Sequence, residues 1–367
     1  MTRSKQCDIA KYLKRNEGEH LPELVAFDHA VVIPAYDEEL SLPECLKSLG
    51  TADINDKTAV IVVVNNPAGT SAEINLNLLN DLKKRVLPEP LKLFTIHAPN
   101  LKHGVGEARK IGFDIFCRSR NQGNVADSIL FSLDADCTVD RKYFSLVLTE
   151  MKNNPAAGCA VIAVRHAVAE DADVEQAIRI YEKYLNDYEN QLADAGSPYS
   201  FNAIGSGFAA RVSDYIRCGG MKMKTAGEDF YFIQDISKCS ELVKIKTPLV
   251  YPSPRRSERV PFGTGPAVRD IIAGKMPREV SKEAFSSLKL LLDIVKTPKN
   301  LCDADKFIAL LPSDIAEFFI SNSFAESWNK IIKNQKISGQ PELEKAFNLW
   351  FDALQTRRFL HYMSEKK

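Results

Sequence analysis

Long apolar runs are missing from this chain of 367 residues. The longest, such as Ala59–Val64, fall far short of the roughly 18–20 residues that a membrane span needs. Residues 1–20 are polar and charged and contain no apolar segment of the signal-peptide kind. The expected location is therefore the cytoplasm, peripheral to a membrane at most. An excess of either charge is missing too, because 48 basic side chains balance 48 acidic ones. No bulk field recruits nucleic acid or an anionic membrane, and such binding would need a local patch. Glycine and proline, 18 of each, are too few for a collagen-like or linker-dominated chain. Cys7, Cys45, Cys117, Cys137, Cys159, Cys218, Cys239 and Cys302 include no C-x-x-C pair. That argues against a zinc ribbon or a thioredoxin-type motif, and spacing this wide reads as reduced, mostly buried thiols.

What is present is an ordinary soluble mixture, 45% apolar and 26% charged, long enough for two modest domains or one large domain with an extension. After a helical N-terminal stretch (8–14), strand and helix signals alternate. His29–Pro34 is a short apolar run, followed by Leu42, Cys45, Leu46 and Leu49 at helical spacing. Ala59–Val64 holds six β-branched or small apolar residues in a row, which suits a strand buried on both faces. A helix over 71–85, a strand over 91–96, a helix over 106–118 and a strand over 129–133 come next. Such alternation indicates βαβ units, with the strand ends gathered on the edge where α/β sheets bind ligands. Further on, 158–164 reads as a strand, 174–192 as a long amphipathic helix, and 203–211 as a Gly-rich strand. A helix over 228–237 and an extended stretch over 242–245 follow. From about residue 280 strand signals vanish, and 285–295, 315–332 and 342–362 show helical periodicity. This assigns a terminal arm to 1–28, a catalytic α/β domain to 29–265 and a helical extension to 266–367.

Three groups of residues can carry chemistry. Asp134 and Asp136, one residue apart at the mouth of an apolar strand, repel each other unless solvent or a cation neutralises them. Hard oxygen ligands select Mg²⁺ or Mn²⁺, and with no further cage of carboxylates the ion would complete its shell with water and phosphate oxygens. An isolated D-x-D is, however, a common acidic turn. Gly227-Glu228-Asp229 opens a helix, where paired acids favour the positive dipole end and where one carboxylate could also act as a general base. Arg255, Arg256 and Arg259 lie beside a Gly/Pro segment and could clamp a pyrophosphate, or be solvated surface charge.

As a set, these motifs resemble family 2 glycosyltransferases, the inverting group with the GT-A fold. The resemblance rests on Val32-Ile33-Pro34-Ala35-Tyr36-Asp37-Glu38-Glu39, Gly106-Glu107-Ala108-Arg109-Lys110-Ile111-Gly112, Leu133-Asp134-Ala135-Asp136 and Gly227-Glu228-Asp229. It implies a Rossmann-like mixed sheet flanked by helices, with a C-terminal helical extension. It also implies a metal-dependent enzyme, using Mn²⁺ or Mg²⁺, that moves a sugar from a nucleotide-diphosphate donor to an acceptor hydroxyl. By the same resemblance Tyr36 and Glu38 line the nucleotide pocket, with Pro34 and Ala135 beside them, and Arg109 approaches the base or phosphates. Asp134 contacts the ribose region and shares with Asp136 the metal position. Asp229, next to Glu228, deprotonates the acceptor, and Gly205-Ser206-Gly207-Phe208 shapes the floor.

There are two departures from the family pattern. Asn65-Asn66 stands where an acidic residue commonly reads the base, which admits GDP beside the UDP that the family resemblance makes the default. The processive Q-x-x-R-W motif and membrane helices are not found, which points to a non-processive enzyme. The acceptor is a saccharide, a lipid-linked or a small-molecule hydroxyl, in glycan or cell-envelope synthesis. The C-terminal helices, with Trp328 and Trp350, read as core packing, an acceptor-binding cap or a homodimer surface. Two rival readings stand beside this one. A nucleotidyltransferase would place a basic Gly-rich loop where Asp37-Glu38-Glu39 lies. An NAD(P) oxidoreductase would use Gly205-x-Gly207-x-x-Ala210, but at least four strand candidates precede that fingerprint.

Overall fold

The computed structural model describes residues 10–120, 128–224, 226–255, 263–297, 301–335 and 340–366. Its strands are β1 (His29–Ala35), β2 (Thr58–Pro67), β3 (Leu91–Leu101), β4 (Ile129–Ser132), β5 (Cys137–Val139), β6 (Ala157–Val164), β7 (Phe208–Arg211) and β8 (Glu241–Pro252). They form one sheet in the order β3-β2-β1-β4-β7-β6-β8-β5. β3, β2, β1 and β4 run parallel, whereas β7 is antiparallel to both β4 and β6, and β5 is antiparallel to β8. The sheet is thus of the mixed α/β class expected. Every residue of β1 is buried, as are all of β2 but its last, which is why these strands read as unbroken apolar runs.

After α1 (residues 10–15), the helices α2 (Leu42–Gly50), α3 (Leu76–Leu82), α4 (Gly104–Ser119), α5 (Tyr143–Asn153), α7 (Val212–Arg217) and α8 (Glu228–Ser237) pack on the sheet, while the start of α6 (Ala172–Asp194) packs against α9 (Thr264–Ile272). One face of the sheet packs Val31, Ile33, Val60, Val62 and Phe131 with Cys45, Leu46 and Leu49 of α2 and Phe144 and Val147 of α5. On α4, Gly112 allows an approach that no larger residue would permit, since a Cβ there would lie 2.4 Å from Val32 Cγ1. The described part of the N-terminal stretch is tied to α4. Tyr12 and Tyr215 hydroxyls both donate to Asp114 Oδ1 at 2.6 Å, and Lys110 Nζ donates to Asp114 Oδ2 at 2.6 Å. These partners satisfy a carboxylate that would otherwise be buried at high cost. Arg118 adds bonds to the carbonyls of Glu19 and Asn16.

Two compact units are distinguished: Met1–Tyr181 with Asn202–Lys275, which holds the sheet, and Glu182–Phe201 with Met276–Lys367. In the second, the last part of α6 joins α10 (Lys282–Val295), α11 (Ala304–Leu310), α12 (Ser313–Ser321), α13 (Phe324–Gln335), α14 (Gln340–Trp350) and α15 (Ala353–Glu365). Its core is dense in aromatic rings, among them Phe307, Phe318, Phe319, Phe324, Phe347, Phe351 and Phe359. Trp328 is fully buried there and donates its indole N–H to the Leu301 carbonyl at 2.8 Å. Trp350 packs on the same rings. The continuous helix read over 315–332 is two helices, broken where Ser323 takes a positive φ of 51°. The stretch 342–362 also divides, because Asp352 caps the backbone N–H groups of Leu354 and Gln355 and so starts a new helix.

Candidate active site

The strand-end acids follow directly from β4. Leu133 N–H still bonds to Val32 on β1 (3.2 Å), and Ala135 turns into the core. The carboxylates of Asp134 and Asp136 stay partly accessible on either side of it. Asp134 O then accepts from Cys137 N–H at 3.1 Å, a tight turn that feeds β5. β5 pairs with β8 (Cys137↔Pro252), and Ser253 N–H donates to Asp136 O at 2.9 Å. This pairing delivers Arg255, well over a hundred residues away in sequence, to the acids. Its Nη1 donates to Glu38 Oε2 at 2.8 Å, its Nη2 engages Glu38 Oε1, and its Nε lies 3.0 Å from Asp136 Oδ2.

Arg109 makes the second junction. The start of α4 is closed by Glu107, whose Oε2 accepts from the N–H groups of Lys102 and His103, both at 2.9 Å. Two residues on, Arg109 extends one guanidinium nitrogen to Asp134 Oδ1 and the other to Glu228 Oε1. Its side chain is only 2% exposed. Two glycines make this possible. A Cβ on Gly205 would sit 2.5 Å from Arg109 Nη2, and one on Gly106 would sit 2.9 Å from Glu228 Cγ. Gly205 also has its carbonyl held by Ser132 Oγ at 2.5 Å, so the turn before β7 is pinned to the end of β4.

Glu228 and Asp229 open α8 because Gly227 takes the left-handed conformation (φ 71°) and reverses the chain just before them. Asp229 Oδ1 accepts from Phe230 N–H at 2.7 Å. Burial and the adjacent Glu228 push the Asp229 carboxyl up to about 7, against the opposing pull of Arg109 and of that N–H; Asp134 adds to the rise. Asp136 is also raised, by burial first and then by Asp134, with Arg255 opposing and Glu38 adding to the rise. Asp134, two residues from Asp136, is joined through Arg109 to Glu228, the neighbour of Asp229. Among the described residues this bridge gathers five carboxylates (Glu38, Asp134, Asp136, Glu228, Asp229) and two guanidiniums, Arg109 and Arg255. Arg109 loses more to burial than to any other single effect, yet Asp134 and Glu228 together hold its pKa above the ordinary value.

The remaining expected residues fall as follows. Pro34 is buried inside β1, and Tyr36 is half-buried just beyond it. Asn65 and Asn66 are buried and turned to the backbone. Asn65 Nδ2 donates to the Ala35 and Val63 carbonyls (3.2 and 3.1 Å), and Asn66 Nδ2 to the carbonyls of Thr70 (3.0 Å) and Pro67 (3.3 Å). Gly207 packs against Ile162 O and Val164, under the β6–β7 edge. Arg256 and Arg259 lie outside the described residues. The dinucleotide fingerprint is overturned, because Gly205 and Gly207 precede strand β7 instead of linking a strand to a helix. Asn75, which no sequence motif marks, is fully buried and ties the end of β2 (Asn65 O, 2.8 Å) to Asp37 N–H (3.2 Å). A lone asparagine in a helical stretch gives no sign of that role. Nor does the sequence single out Arg255 from its two arginine neighbours.

Among the described residues, a strand-edge cluster of acids is thus crossed by two arginines. The family model described as "Glycosyl transferase family 2" matches residues 30–216, just over half of the chain. The chain belongs to this family and is a glycosyltransferase. No curated protein matches it by sequence. Among solved structures, S. aureus TarS 1–349 in complex with UDP-GlcNAc is 12% identical, with 88% of this chain and 92% of that one covered and a TM-score of 0.48. The mannosyltransferase PcManGT from Pyrobaculum calidifontis, in complex with GDP-Man and Mn²⁺, is 14% identical, with 94% and 93% covered and a TM-score of 0.44. No helix among the described residues is long and apolar enough to cross a membrane.

Proposed function

We propose that this glycosyltransferase is a metal-dependent inverting enzyme, in which Asp229 is the general base and Asp136 holds a divalent cation that enters with a nucleotide-diphosphate sugar. The observation that carries the reading is the bridge Asp134–Arg109–Glu228, which draws the strand-end acids and the start of α8 into one site. The donor set fits a divalent cation. Among the described residues five carboxylates face two guanidiniums, and a diphosphate would add further negative charge. Among the described residues no three ligating side chains converge, so the diphosphate and water would supply most of the shell. When bound, the cation would stabilise the charge that develops on the departing diphosphate.

The chain's own residues do the rest. Asp229, ionised, accepts the proton of an acceptor hydroxyl as that oxygen bonds to the anomeric carbon. The bond from that carbon to the diphosphate oxygen breaks on the opposite face, and its electron pair leaves with the nucleotide. A single displacement of this kind inverts the configuration and needs no covalent nucleophile. A base with its pKa near 7 matches that task. Arg109, enclosed by carboxylates, serves by positioning Asp134 and Glu228. Asn65 and Asn66 spend amide hydrogens on nearby carbonyls, but Asn66 Oδ1 is a buried acceptor with no hydrogen-bond partner, so this pair stays a candidate for reading the base, and UDP- and GDP-sugars are both candidates.

A thermal-shift panel of UDP-GlcNAc, GDP-mannose and their free nucleotides, each with and without Mn²⁺, tests the reading. At least one donor should stabilise the protein only when Mn²⁺ is present. Asp229→Asn should keep that stabilisation and lose transfer, whereas Asp136→Ala should lose the Mn²⁺ dependence. Stabilisation independent of Mn²⁺, or equal loss of donor binding in Asp229→Asn, would contradict it.

A further inference from the structure

The two arginines of the site are not equivalent. Arg109 is sealed beneath Gly205 and cannot leave without exposing Asp134 and Glu228 to each other. Arg255 is 31% exposed, while the carboxylates it covers are 6% (Glu38) and 20% (Asp136) exposed. Its grip is lopsided as well. Both terminal nitrogens engage Glu38, but the 3.0 Å approach of Nε to Asp136 lacks hydrogen-bond geometry, and Nε has no hydrogen-bond partner. The Asp136 half of the contact is therefore a charge pairing without directional bonding, the easier half to exchange. The Ser253–Asp136 backbone bond keeps this segment beside the acids when the side chain moves.

We propose that Arg255 is the resident counter-ion of the nucleotide-free site, a positioning residue that covers Asp136 until a cation arrives with the donor. It then transfers its guanidinium from the carboxylates to the diphosphate. This inference rests on the metal-dependent reading above. Its physical content is a coupling. A free divalent ion reaching Asp136 must displace the guanidinium from it and leave that guanidinium beside a dication, held by Glu38 alone. An ion that arrives with a diphosphate supplies the partner, since phosphate oxygens match the guanidinium fork at least as well as Glu38 does. Nucleotide and metal should therefore each strengthen the binding of the other by the same factor. The free enzyme would avoid capturing metal that brings no donor.

The test is Mn²⁺ binding to the full chain, read from the electron-paramagnetic-resonance signal of free Mn²⁺, with no turnover involved. Wild type, Arg255→Met and Arg255→Lys are titrated alone and with UDP or GDP, and circular dichroism and melting confirm that each variant is folded. In wild type, nucleotide should tighten Mn²⁺ binding by about tenfold or more. Arg255→Met should bind Mn²⁺ alone about tenfold more tightly than wild type, and nucleotide should tighten it by less than about threefold. Arg255→Lys keeps the charge and loses the fork, so its Mn²⁺ affinity without nucleotide should stay near that of wild type while the coupling falls. Equal Mn²⁺ affinity without nucleotide in wild type and Arg255→Met, or undiminished coupling in that variant, overturns the proposal and leaves the metal reading standing. Absence of Mn²⁺ binding to wild type even with both nucleotides overturns both.

Discussion

The pH dependence of the reaction gives the sharpest check on the base. Moving Asp229 from 3.8 to about 7 corresponds to about 4 kcal/mol in favour of the protonated acid. The sign follows from the role: a general base works only when ionised, so activity is lost as pH falls through the raised pKa. With a pKa of about 7, roughly one-tenth of the molecules are competent near pH 6 and roughly nine-tenths near pH 8. kcat/KM, which reports the free enzyme, should rise about tenfold across that interval and then level off. The perturbation that isolates the cause is Glu228→Gln. It removes the raising influence second only to burial and frees Arg109 to act on Asp229, and both changes lower the pKa. A full charge removed at roughly 6 Å with an effective dielectric of about 20 predicts a shift of the limb towards acid by about one to two pH units. The assay is release of nucleoside diphosphate with water as the acceptor, so no acceptor need be known. A profile flat between about pH 5.5 and 8.5, or a Glu228→Gln limb that stays put or moves towards alkali, would exclude Asp229 as a base raised by its neighbour.

Arg109→Met should cost about 3–5 kcal/mol in urea unfolding, because it strands Asp134 and Glu228, and Arg109→Met with Glu228→Met should recover part of that loss. Gly205→Ala should weaken donor-induced stabilisation, since its Cβ would meet Arg109 Nη2 at 2.5 Å and force the bridge apart; an unchanged thermal shift would count against the bridge. Trp328→Ala should lower the stability of the helical unit by about 3–5 kcal/mol, read by chemical unfolding, whereas a surface role for this tryptophan predicts almost no change.

The alternation of elements was legible because β1 and all of β2 but its last residue are buried, and their runs of Val and Ile admit little else. β5 was not, since three residues, Cys-Thr-Val, carry no periodicity and owe their strand to β8. β7 is shorter than the Gly-rich run 203–211 because Gly205 is pressed on Arg109 and Gly207 closes a turn onto Ile204. The acidic motifs could be picked out by their positions after apolar strands or before a helix, but their wiring could not. Which arginine meets Asp136 depends on the antiparallel β5–β8 register, and whether Asn65 faces a ligand or the backbone depends on the carbonyls of Ala35 and Val63. Such contacts join residues far apart in the chain, and a local pattern does not encode them.

The helical unit borrows residues 182–201 from mid-chain, and Leu192 and Ala195 share its core with Leu288, Leu291 and Phe307. A gene cut after codon 275 would therefore retain a greasy strip with nothing to shelter it, inviting clumping and protease attack. No single cleavage yields both units whole. Freeing the sheet unit requires an internal deletion that splices 181 to 202 as well as a new stop codon.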